Sequence, residues 1–461
     1  MPENKRMIYK LPIFLLLFAI FISLRVQSQE SKGYRYYDSL TYYLYSAGNW
    51  KSLKVAGAEA LGSDLDYYYL RVRMGIALYK MQNYRASALH FEKALKFNAH
   101  DPFALQYLYA AYLESGRNIE AAKLAASYKD IITTVPGATG RFVNSVYAEM
   151  GITPNSLPGQ NAASLMGKES LYGESDLISE QKYYHAGISL QLSPAISMYT
   201  GAAVLDINKQ RRFAYASLNA QGINTFSDTA IDYQFRQTEL YVSASAALGY
   251  GITLTNAFHL MKGNPPIINS MKENGIYTFR EYLNPYNHYV LSLSATKAMG
   301  NFSLGINGSY ARLGSMGNQK QFGTSITWYP FGNLKLYNTG SLTGLLLGNT
   351  KRFIVDEAIG GRILPKIWLE GTFTKGDMSY YNEKNAFVVY NQSETIIYRI
   401  GANLIYTLSP HLDLSLMYRF YGRENEYANK KFSMGTGGDI LITNNFKYNN
   451  YSFFGGLKWK L

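Results

Sequence analysis

The stretch HAGISLQLSPAISMYTGAAVLD, His185 to Asp206, decides the fold class. Ala186, Ile188, Leu190 and Leu192 alternate with His185, Gly187, Ser189 and Gln191, and after Ser193-Pro194 the alternation resumes through Ile196, Met198, Thr200, Ala202 and Val204. A period of two marks strands with one apolar face and one small, polar face, and Ser-Pro between them marks a tight turn. Segments of about ten residues repeat this pattern to the C-terminus, among them ELYVSASAAL, YVLSLSATKA, NFSLGINGSYARL, IIYRIGANLIYTL and HLDLSLMYRF.

Two kinds of connection separate these segments. Short turns fall at Ser193-Pro194, Gly249 to Gly251, Met299 to Asn301, Pro330 to Asn333, Leu364 to Lys366 and Ser409 to His411; long polar stretches fall near 208–232, 262–286, 381–392 and 423–444. Short turns alternating with long loops are the pattern of an outer-membrane barrel. The strand before Ser193 runs toward the short-turn side, so another must precede it, expected at Ser164 to Tyr172. Six turns and seven loops give fourteen strands, or twelve without that first strand and the pair around Leu334 to Ile363. The reading is an antiparallel transmembrane β-barrel over 165–461, preceded by a linker at 153–164, with Tyr289, Tyr310, Trp328, Tyr406, Tyr418 and Trp459 near the water interfaces.

The last strand carries the most specific local signal. Tyr451, Phe453, Gly455, Leu457, Trp459 and Leu461 share one face up to the C-terminus. This row resembles the signal by which the outer-membrane assembly machinery recognises its clients, although Leu stands last where an aromatic residue is usual.

Composition agrees. The 461 residues include 42 Tyr and 40 Gly but only 17% charged residues, and mean hydropathy is −0.17. Small polar residues on one strand face and apolar ones on the other hide a membrane protein in that average. The absence of Cys excludes disulfides and thiolate metal sites. Met1 to Glu30 has a basic start at Lys5, Arg6 and Lys10, an apolar Leu11 to Leu24, and Val26-Gln27-Ser28, as in a signal peptide spanning 1–28. The alternative is an uncleaved anchor, for which the apolar run is short.

Between Tyr34 and Ile132 the period is helical and recurs at about 34 residues: GNWKSLKVAGAEALGS from Gly48, QNYRASALHFEKALKF from Gln82 and GRNIEAAKLAASYKDI from Gly116. On Trp50 and Tyr84, Ala60 and Ala94, and Gly75, Phe91 and Asp101-Pro102, residues 34–152 resemble the tetratricopeptide family. That resemblance implies a superhelix of helical hairpins whose concave face binds a protein partner. The first helix of each repeat would turn Tyr42 and Tyr45, then Tyr69, Ile76 and Tyr79, then Phe103 and Gln106 toward that face; alternatively these residues pack between repeats. Three repeats are about the minimum for stability, so the module is expected to lean on something at one end.

Parity places His185, Glu239, Tyr241, His259, His288, Glu370, Arg399, Asp413, Arg419, Lys458 and Lys460 toward the lumen. There they either line an aqueous path or pair with one another to brace the wall. Arg399, Arg419 and Asp413 in particular suggest an internal salt-bridge network. No catalytic, cofactor or metal constellation emerges, and the dispersed basic charge does not point to nucleic acid. A repeat module before a barrel resembles exopolysaccharide export porins in domain order, which implies an outer-membrane channel with its repeats in the periplasm and polysaccharide as cargo. The alternatives are a non-conducting anchor that displays the repeats as a docking scaffold, and a lipid-modifying barrel enzyme.

Overall fold

The computed structural model describes residues 33–132, 142–156, 172–218, 224–273, 276–314, 317–391, 394–433 and 438–461. The segment read as a signal peptide lies outside them.

Six helices come first: α1 Tyr34–Ser46, α2 Trp50–Gly62, α3 Tyr68–Lys80, α4 Tyr84–Phe97, α5 Pro102–Glu114 and α6 Asn118–Ser127. Asn49 and Asn83, 34 positions apart, each cap the following helix by accepting a backbone N–H, from Ser52 and Ala86. Small residues stand where helices meet. A Cβ on Gly75 would lie 2.8 Å from the Phe91 ring, and Ser87 Oγ donates to the Gly75 carbonyl at 2.8 Å. Phe91, Ala94, Leu105 and Ala104 are fully buried around this crossing.

Fourteen strands then close an antiparallel barrel: β1 Val143–Pro154, β2 Tyr172–Ser193, β3 Ile196–Leu218, β4 Asn224–Gly249, β5 Ile252–Gly263, β8 Tyr286–Met299, β9 Phe302–Arg312, β10 Asn318–Trp328, β11 Tyr337–Leu347, β12 Thr350–Leu364, β13 Ile367–Lys375, β16 Thr395–Ser409, β17 Leu412–Ser433 and β18 Gly438–Lys460. Between them lie two small hairpins, β6 Pro266–Glu273 with β7 Ile276–Leu283, and β14 Asn382–Glu383 with β15 Val388–Val389. The last strand closes on the first, Phe453 opposite Ile152 and Trp459 opposite Val146.

Strand number follows the sequence reading, but the first strand differs. The sequence places residues 143–154 in the helical module and its linker, yet they form β1. Val146, Met150 and Ile152 face outward, while Tyr147 and Glu149 line the lumen. Nearly all of the expected first strand, 164–172, lies outside the described residues. Two of the long polar stretches are strand extensions: β3 and β4 remain paired to Leu218–Asn224, and β17 and β18 to Ser433–Gly438. Ion pairs such as Arg212–Asp228 and Arg211–Glu174 hold the charged ladders together. The stretch near 262–286 is the β6–β7 hairpin, whose Ile268 and Phe279 pack on Phe213 of β3.

Leu293, Ile306, Phe322, Ile326, Phe353, Ile359 and Leu416 are exposed on the outer wall, an apolar belt that only a hydrocarbon surrounding satisfies. Trp328, Tyr406 and Trp459 are exposed near the short-turn end. The outward C-terminal row, Tyr451, Phe453, Leu457, Trp459 and Leu461, is likewise exposed.

The helical module docks on short turns of the barrel. Buried Arg85 of α4 donates to the carbonyls of Gly300 (2.9 Å) and Phe302 (3.0 Å) and to Ser303 Oγ (2.7 Å), with its guanidinium 4.0 Å over the Tyr329 ring. Its own N–H donates to Gly332 O, and Asn333 Nδ2 donates to Gln82 O at 2.9 Å. Glu120 of α6 accepts the Gly251 N–H at 3.1 Å, and Lys123 Nζ donates to Ala247 O at 3.1 Å. Gly332 has φ +63°, and a Cβ there would sit 1.9 Å from Asn83 Oδ1. The close approach therefore requires glycine.

Candidate functional site: the barrel lumen

The lumen is the concave, polar region of the molecule, and its decisive feature is a segment that enters it. After β13 the chain turns inward at Gly376, φ +141°, where a Cβ would lie 2.6 Å from the Phe353 carbonyl. Residues 377–391 then cross the lumen as the β14–β15 hairpin. The polarity of 381–392 predicts an external loop, but its described residues 381–391 lie inside the barrel. Its apolar run Ala386-Phe387-Val388-Val389-Tyr390 is poorly suited to water, and the lumen offers rings and amides instead.

Wall side chains satisfy the hairpin's backbone. The Gln321 amide donates to Asn382 O at 3.0 Å and accepts its N–H at 2.9 Å. Tyr241 OH donates to Asn385 O at 3.1 Å, and His259 Nδ1 lies 2.7 Å from Ala386 O. The tip residues Lys384, Asn385 and Ala386 all have φ near +50° to +65°, a conformation costly for residues with a Cβ and maintained here by those wall contacts. Phe387 fits edge-on against His185 (5.4 Å) and Tyr241 (5.0 Å).

Two ion pairs pin the segment, one beside the tip and one at its base. Arg399 of β16 pairs with Glu383 through both nitrogens, Nη2 to Oε2 being 3.0 Å, and also reaches Thr374 Oγ1 at 2.7 Å and Asp356 at 3.5 Å. At the far base, buried Glu394 accepts from Arg423 Nη1 at 3.1 Å, from the Ile178 N–H at 3.0 Å and from Tyr448 OH.

The remaining luminal residues fall as follows. His259 Nε2 faces Glu239 at 3.2 Å, and Gln237 Nε2 also donates to Glu239. His288 Nε2 accepts the Gly314 N–H at 2.8 Å, and His185 Nε2 meets Tyr199 OH at 3.1 Å. Glu370 accepts from Tyr337 OH, and Asp413 pairs with Lys460 at 2.8 Å. Arg399 forms a network with Glu383 and Asp356, whereas Arg419 and Asp413, expected to join it, do not. Sequence parity could not find Glu383 and Glu394, because neither lies on an alternating strand.

Among the described residues, two cavities lie in the lumen. One, about 610 Å³, is lined by Tyr147, Tyr183, Tyr199, Glu239, Tyr390 and Arg419 among others; the second, about 370 Å³, by Asn307, Tyr337, Asp356, Glu370, Arg399 and Arg419 among others.

The candidate groove of the helical module is only partly open. Tyr42, Tyr69 and Phe103 are exposed, and Gln106 with them, with Arg73 between the Tyr42 and Tyr69 rings at 5.4 and 5.6 Å. Ile76 is 3% exposed, and Tyr45 and Tyr79 pack against the helical cores, so these three serve the packing between helices.

No protein-family model and no curated protein sequence matches the chain. Among solved structures it is similar to the P. putida toluene transporter TodX (7% identity, covering 71% of this chain and 91% of that one, TM-score 0.42). It is also similar to a Pseudomonas aeruginosa FadL homologue (9%, 69% and 89%, TM-score 0.38) and to the outer-membrane protease OmpT from Escherichia coli (8%, 69% and 95%, TM-score 0.22). This chain's own closed antiparallel barrel with an apolar outer belt is the architecture of an outer-membrane protein.

Proposed function

We propose that the protein is an outer-membrane channel held closed by its own β14–β15 hairpin, with the helices on the periplasmic side recruiting a partner. The observation that carries this reading is the hairpin itself. It is fastened by side chains rather than by a continuous sheet, it has a strained tip, and it leaves polar cavities in a fourteen-stranded wall. A barrel of this size is wide enough for an aqueous path once that segment moves. Short turns on the module's side and long extensions opposite fit periplasmic helices. A partner that grips exposed Tyr42, Tyr69 and Phe103 would act next to the turns that Arg85 binds.

Small solutes suit this lumen better than polysaccharide, because a sugar chain needs the hairpin to leave the lumen altogether whereas a small solute needs only its partial displacement. The buried Arg399–Glu383 and Arg423–Glu394 pairs favour a second reading, a permanently shut anchor for the helical module. A lipid-modifying enzyme has less support, since the polar contacts of His259 are to Ala386 O and Glu239 and supply no hydroxyl nucleophile. Planar-bilayer recording separates the first two. Replacing residues 377–393 with a short Gly-Ser linker should convert a mostly closed protein into one with steady conductance. A folded deletion variant that conducts nothing would overturn the channel reading and leave the anchor.

A further inference from the structure

Carboxylates and cations on the luminal wall are partnered differently. Around the larger cavity each carboxylate has a donor: Glu149 takes Tyr147 OH, Glu239 takes Gln237 and faces His259, and Glu394 takes Arg423 and Tyr448. Around the smaller one the same holds, with Asp356 bound by Thr374, Glu370 by Tyr337 and Glu383 by Arg399. The cations are different. The side chains of Arg419, Lys384 and Lys458 make no hydrogen bond or ion pair with any described residue, and all three line the larger cavity. Arg419 and Lys384 line both cavities, so they stand where the two meet.

Arg419 is half-buried and Lys384 and Lys458 are exposed, so all three cations are open to the cavity space, where a bound anion would meet donors that no described residue occupies. The Arg419 guanidinium carbon lies 5.3 Å from the centroid of the Phe454 ring. That contact orients the planar group, and its N–H donors, which no described residue accepts, can grip a carboxylate in two-point fashion. The rest of the cavity supplies rings, those of Tyr147, Tyr183, Tyr199 and Phe387, a surface suited to a flat apolar body.

We propose that the larger luminal cavity binds a small organic monocarboxylate with a ring-shaped apolar body, its carboxylate held by Arg419 and Lys384. The inference deepens the channel reading and rests on it, since the site lies on the path the hairpin obstructs. Lys384 belongs to that hairpin and Arg419 to the wall, so an anion bound by both joins the two.

Calorimetric titration of the full chain in detergent tests this, with 2-naphthoate as the probe and 2-naphthalenemethanol as its uncharged counterpart. The expected result is one naphthoate per chain, bound at least tenfold more tightly than the alcohol. Arg419→Gln should lower naphthoate affinity tenfold or more while leaving the alcohol unchanged, and Lys384→Gln should lower it severalfold. Should Arg419→Gln fail to give a folded barrel, Lys384→Gln on the hairpin tip decides alone. Equal affinity for the two probes, or naphthoate binding indifferent to the substitutions, overturns the site. Conductance of the linker variant is a separate readout: conduction without naphthoate binding rejects the site alone, and binding without conduction rejects the channel alone.

Discussion

Arg399 on the barrel wall and Glu383 on the inserted hairpin face each other with side chains only 4% and 7% exposed, joined by two hydrogen-bonded contacts. Removing one member of such a pair strands the other, at a cost of about 3 kcal/mol or more. Glu383→Gln should therefore loosen the hairpin, seen as more frequent openings in single-channel records. Glu370→Gln, which removes a wall carboxylate with no contact to the hairpin, should leave the openings as they are. Equal behaviour of the two variants would separate the ion pair from closure.

Arg85 ties two structural modules together. Arg85→Ala loses charged hydrogen bonds to two carbonyls and one hydroxyl, on the order of 3 kcal/mol of docking energy. The helical signal in circular dichroism should then melt well below the barrel, where the parent protein should show the two transitions closer together. Gly332→Val should act in the same direction through a clash with Asn83.

The helical module should begin to weaken in acid above the carboxylate range. Burial and the neighbouring Arg71 and Lys93 push the His90 imidazole down to about 4. Below pH 6.5 the unfolded chain takes a proton that the folded module refuses, so stability falls as pH drops from 6.5 to about 4 and this contribution is flat below that. Asp66, held below the usual carboxylate range by its bond to Arg71, adds its own loss only under pH 4. Helical melting temperature against pH should lose its slope between 6.5 and 4 in His90→Gln; an unchanged slope assigns it elsewhere.

Adjacent positions on one strand should respond oppositely to charge. Ile306 is 54% exposed on the lipid side, and Asn307 lines the smaller cavity. Ile306→Arg should cost about 2–4 kcal/mol near the bilayer midplane, whereas Asn307→Arg should be tolerated. Urea unfolding in lipid vesicles measures both.

The strands were legible because alternation is local: each residue reports its own face, and the turns between strands carry Pro, Gly and Asn. The same logic could have found β1, since Val146, Met150 and Ile152 already alternate with Tyr147 and Glu149; the helical repeat upstream masked the change of period. The hairpin left a fainter trace. Among the long polar stretches, 381–392 holds the run Ala386 to Tyr390 where 208–232 and 423–444 are rich in charge, and such a run has little reason to face water.

Strand number, antiparallel order, the outward C-terminal row and the luminal parity of Arg399 and Arg419 all follow from period and turn position along the chain. Tertiary structure alone decided that Glu383 would meet Arg399 sixteen residues on, that Arg419 would find no acceptor among the described residues, and that Arg85 would find the carbonyls of Gly300 and Phe302 more than two hundred residues away. A side chain's face is set by the backbone torsions beside it. Its partner is set by barrel closure, which brings distant segments together in a way no local pattern encodes.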